Sequence, residues 1–87
     1  MTQLRLWRRR HGEHVIAEVA PVLGLGTWEA CARRTTPPLT ERDVGLHFSL
    51  LTDAQEAADI LARAMAPHEC DAKCDFWTPV ERRKHPR

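Results

Sequence analysis

The chain has 87 residues, 29% of them charged and 43% hydrophobic, with a net charge of +1. That length allows one small domain whose core alone is only modestly stabilising, and the composition excludes a disordered chain. No apolar run reaches the roughly 18 residues of a membrane span.

Residues 3–11 and 13–20 read as two strands around a tight Gly12-Glu13 turn, with glycine first as a type II′ hairpin prefers. In that register His11 opposes His14, Arg9 opposes Ile16, Trp7 opposes Glu18 and Leu6 opposes Val19. One face then holds Leu4, Leu6, Val15, Ala17 and Val19, the natural core side. The other holds Arg5, Trp7, Arg9, Ile16 and Glu18. Gly24-Leu25-Gly26 marks the next turn, and residues 27–34 read as a third strand. A proline-containing loop follows over residues 35–40, where neither Pro37 nor Pro38 can donate to a ladder. Val44, Leu46, Phe48 and Leu50 then alternate with Gly45, His47 and Ser49, the cleanest strand pattern in the chain.

Thr52-Asp53-Ala54-Gln55 starts a helix, with Thr52 as its cap and Asp53 and Glu56 at the positive end of the dipole. Its apolar stripe is Ala54, Ala57, Ala58, Leu61, Ala64 and Met65, with Ile60 beside it, while Gln55, Glu56, Asp59 and Arg63 are expected to face outward. Pro67 marks the end. The expected fold is α+β: a four-stranded antiparallel sheet with one C-terminal helix on one face, in the order β-β-β-β-α. Residues 1–66 make the core, and residues 67–87 an irregular Cys/His-containing tail of the same domain.

That tail opens with His68-Glu69-Cys70-Asp71-Ala72-Lys73-Cys74. Two thiolates and an imidazole at this spacing suit one soft or borderline metal ion. A closed structural zinc site needs a fourth ligand, for which Cys31 on the third strand is the first candidate and His47 the reserve. The expected cofactor is therefore either none or one structural zinc; the competing readings are reduced thiols and a disulfide to Cys31 or within the tail. Catalysis is not expected: Glu69, Asp71 and Asp75 disfavour a reactive thiolate, and nothing marks a strained elbow, an oxyanion loop or paired carboxylates. Gly24-Leu25-Gly26 also lacks the rest of a phosphate-binding loop pattern.

The near-neutral charge hides a division. Residues 1–14 carry four arginines against Glu13, and residues 80–87 carry Arg82, Arg83, Lys84 and Arg87 against Glu81, while the middle has five basic residues against ten acidic. One helix cannot cover both faces of the sheet, so an apolar and basic patch around Trp7 is expected on the open side. The alternatives to an open patch are that Phe76 and Trp77 in the tail fold back and cover it, or that two copies of the chain pair across it. Arg5, Trp7, Arg8, Arg9, Arg10, Trp77, Arg82, Arg83 and Lys84 are the candidate partner-binding residues. Tryptophan and arginine are favoured anchors for proteins, and aromatic platforms in a positive groove also stack single-stranded nucleic acid.

Leu46 to Met65, a strand running through Leu51-Thr52-Asp53 into an alanine-rich helix, resembles the ending of many short uncharacterised actinobacterial and actinophage proteins. It covers about a quarter of the chain. The resemblance implies a bacterial or phage source but no activity. An arginine- and alanine-rich composition agrees with a GC-rich genome. Arg8-Arg9-Arg10 leads into His11-Gly12-Glu13 rather than an apolar segment, so no signal peptide is expected and the reducing cytosol is the expected compartment. Three functions remain in view: a non-enzymatic protein-binding or regulatory module, a nucleic-acid-binding accessory protein using the basic ends, and a structural homodimer.

Overall fold

A computed structural model of the chain describes residues 5–22, 24–65 and 76–80. Its elements are β1 (Leu6–His11), β2 (Val15–Val22), β3 (Thr27–Arg34), β4 (Glu41–Phe48), α1 (Leu51–Met65) and β5 (Thr78–Val80). All neighbouring strands are antiparallel, in the order β4-β3-β2-β1-β5, so the expected α+β architecture holds with one further strand. That strand lies within the stretch expected to be irregular. It is three residues long with Pro79 at its centre, and an edge strand tolerates a residue that donates no ladder hydrogen bond. His68, Cys70, Cys74, Arg82, Arg83 and Lys84 lie outside the described residues.

The first hairpin departs from expectation in a way that relocates its side chains. Its turn spans three residues, 12–14, with Gly12 at φ 71°. The extra turn residue moves the register by one: His11 pairs with Val15, Arg9 with Ala17 and Trp7 with Val19. Trp7, Arg9 and His11 therefore lie on the core face beneath the helix, and Arg8 and Arg10 on the opposite face. The assignment of Trp7 and Arg9 to the open side is corrected by this slip.

The core is small and dominated by alanine. Val15, Ala17 and Val19 of β2 and Ala30 and Ala32 of β3 are buried against Ala54, Ala58 and Ala62 of α1, with Trp7, Trp28, Val44, Phe48, Leu51, Leu61, Met65 and Trp77 packed around them. Short side chains on both surfaces bring the helix close to the sheet. The helix begins at Leu51, with the Leu50 carbonyl accepting from the Ala54 amide at 3.2 Å, so Thr52 sits in the first turn rather than at the cap. Its buried line runs Ala54, Ala58, Asp59 and Ala62, while Ala64 and Ile60 are exposed. Asp59, expected to face water, faces the sheet instead.

The alternation expected of the fourth strand is broken at Gly45. Cys31 pairs with Asp43 and Glu29 with His47, leaving residues 44–46 opposite Ala30 as a bulge. Gly45 has φ 82° and its amide donates to Asp43 Oδ1 at 2.7 Å. Val44 and Phe48 pack on the core, whereas Leu46 and Leu50 are exposed.

Close helix–sheet packing gives a direct stability prediction. Ala58→Leu overfills a fully buried site and is expected to cost about 1–3 kcal/mol in urea denaturation. Ile60→Ala, at an exposed helix position, should change stability by about 0.5 kcal/mol or less. Equal losses for the two would contradict this placement of the helix.

Candidate functional site

Two groups of ionic contacts organise the sheet, one on each face. Beneath the helix, Asp59 Oδ2 accepts from Arg9 Nη1 at 2.8 Å and from Trp77 Nε1 at 3.3 Å, and Asp59 Oδ1 lies 2.7 Å from His11 Nε2. A carboxylate only accepts, so His11 Nε2 carries the hydrogen in this contact. Burial pushes the Asp59 pKa up, but the His11 hydrogen bond, the Arg9 charge and the Trp77 hydrogen bond outweigh it and hold the carboxyl below its ordinary value. The His11 side chain has no solvent exposure. The Asp59 side chain keeps only 12% exposure, so the pair lies largely buried between the helix and β1 and links the two.

The other face has no described element lying across it. Strand pairing sets Thr78, Arg8, Glu18, Cys31 and Asp43 in one row across it, with Arg10, Ile16, Arg33 and Glu41 in the next. Glu18 is held between two guanidiniums: Arg8 Nη2 lies 2.7 Å from its Oε2 and Arg33 Nη1 lies 2.5 Å from its Oε1. Ile16 is only 7% exposed although no helix covers it. It lies in a groove of about 380 Å³ shared with Arg8, Arg10, Phe76 and Thr78. Phe76 is 87% exposed at that groove, the largest exposure among the big apolar side chains described.

The expected partner-binding set therefore divides. Arg5, Arg8 and Arg10 remain accessible at the surface, Arg5 just before β1, while Trp7, Arg9 and Trp77 belong to the helix side. Trp77 does fold back onto the sheet, but against Asp59 rather than over the open face. Of the proposed metal ligands, Cys31 and His47 lie on the helix-free side, on neighbouring rows separated by the bulge. Cys31 is a free thiol. Burial, then Glu18, Glu41 and Asp43, push its pKa up to about 11 against the opposing pull of Arg33. Those carboxylates disfavour a free thiolate, although a bound dication would reverse the sign of their effect. Among the described residues no three His, Cys, Asp or Glu side chains form a metal-sized group.

Asp59, Glu18 and the groove role of Phe76 are the features that residue periodicity missed. A signal for Asp59 was present: it lies one and three residues from Ala58 and Ala62, inside the small-residue stripe that must meet the sheet. No family model, curated protein or solved structure matches the chain. No described helix is long and apolar enough to cross a membrane.

Asp59→Asn removes the carboxylate charge that Arg9 meets at 2.8 Å and is expected to cost about 3 kcal/mol at neutral pH. Because the folded-state pKa of Asp59 is depressed, its contribution is full above the unfolded value and is lost as pH falls through the folded one. The stability gap between wild type and Asp59→Asn should thus begin to close as pH falls below about 4, as chemical denaturation across pH would show. A gap that stays constant down to pH 2 would contradict the ionic role. For Cys31, a Cys70→Ser, Cys74→Ser chain should react with iodoacetamide at pH 8 at least about tenfold more slowly than a free cysteine.

Proposed function

We propose that this chain is a small non-catalytic protein-binding module that works in the cytosol through the helix-free face of its sheet. The observation that carries this reading is the groove beside β1, where a highly exposed aromatic, Phe76, stands next to Ile16 and two arginines. Aromatic and arginine side chains around an apolar floor are the usual composition of an interface anchor. Arg8 is already oriented by Glu18, which reduces the entropy lost when a partner binds it. The raised Cys31 thiol and the largely buried His11–Asp59 pair support a role without chemistry.

Nucleic-acid binding is the rival reading, and the charges of the face weigh against it. Arg8 and Arg33 share Glu18, Arg9 is committed to Asp59, and Glu41 and Asp43 line the far side of the same face. A phosphate backbone would meet anions there as well as cations. The discriminating variant is Arg5→Ala with Arg10→Ala, since Arg9→Ala would remove a structural contact.

The expected result is that a benzoylphenylalanine photocrosslinker replacing Phe76 yields a defined protein adduct in cells, while the same group at the exposed position 60 on α1 yields none. Retention on DNA or RNA should be absent or unaltered by the double arginine substitution. Retention that falls steeply with salt and is lost in that variant would overturn the protein-binding reading in favour of the nucleic-acid one.

A further inference from the structure

We infer that the partner seated on the helix-free face is a second copy of this chain, related by a twofold axis parallel to the strands and passing between β2 and β3. The inference rests on the protein-binding reading and names its partner. Its basis is the register of the sheet. In one row Arg8 lies on β1 and Asp43 on β4; in the next, Arg10 lies on β1 and Glu41 on β4. Both rows thus run from a cation on one side of the face to an anion on the other.

A twofold axis along the strands places β1 of one copy over β4 of the other and keeps each row level. Arg8 then faces the second copy's Asp43, and Arg10 faces the second copy's Glu41. Each contact occurs twice, as an isologous interface requires. Between them, Glu18 lies over the uncharged thiol of the second copy's Cys31, and Ile16 over the second copy's Arg33, whose stem supplies apolar surface. Two sheets stacked in this way are nearly aligned, the common arrangement of a sandwich. The alternative in-plane axis, perpendicular to the strands, stacks β1 on β1 and sets Arg8 and Arg10 against their own copies. Charge therefore selects one of the two face-to-face arrangements.

Arg10 and Glu41 are both exposed, so reversing either leaves the core untouched. Sedimentation equilibrium of the full chain should give twice the chain mass, with the dimer weakening as salt rises. Arg10→Glu alone and Glu41→Arg alone should each raise the dimer dissociation constant about tenfold or more, because each opposes like charges. An equimolar mixture of the two variants should recover the affinity, since each altered residue then meets an opposite charge, and so should the chain carrying both changes.

A wild-type chain that stays monomeric, a dimer that neither substitution weakens, or weakening that neither the mixture nor the double change repairs would each overturn the inference. If the chain is monomeric but the crosslinker at position 76 still captures a different protein, only the second-copy inference fails. If it captures nothing, the protein-binding reading fails with it.

Discussion

The carboxylate of Asp59 joins helix α1 to β1 and to Trp77, just before β5. Helix α1 packs on β2, β3 and β4 through buried alanines, each of which buries little area, with larger side chains around them. Asp59 adds a directional constraint by meeting Arg9 and His11 of β1 and Trp77 just before β5. A buried charge is costly unless paired, so the helix is held at the one position where all these partners are within reach. The pairing selects a single arrangement rather than adding much net stability. It also ties the last strand to the first, and with it Phe76 to the rim of the open face.

The same constraint sorts the consecutive arginines of β1. A strand sends alternate side chains to opposite faces, so a run of three arginines must divide its tasks. Arg9 points inward and is spent on the fold, whereas Arg8 and Arg10 point outward beside Ile16. The charge balance of the whole chain is near zero, but its two-dimensional arrangement is strongly ordered: cations on one flank of the helix-free face, carboxylates on the other, and Glu18 holding the middle together.

Much of the architecture was legible from residue pattern, and the misses share a cause. The third strand occupies the expected residues, and the helix starts within one residue of its expected position. Alternation and helical periodicity report where apolar side chains recur, and both signals are strong there. Neither reports the length of a turn to within one residue, and the Gly12 turn proved one longer than a Gly-first hairpin suggests. That single residue exchanged the faces of Trp7, Arg9 and the flanking arginines. Asp59 was missed because hydropathy assigns every carboxylate to water, and only its distant partners on β1 make burial tolerable. The short β5 was hidden because three residues around a proline carry no periodic signal.

The bulge at Gly45 has a consequence for how the protein coexists with its neighbours in a crowded cell. β4 is the outer strand of the sheet, and an uninterrupted outer strand is a template onto which unrelated extended segments can add, ending in fibrous aggregates. Here the hydrogen-bonding row is interrupted mid-strand by three residues opposing one, with a glycine turned into left-handed backbone geometry. A foreign strand finds no continuous ladder to extend. The bulge thus works against lateral growth of the sheet on that side.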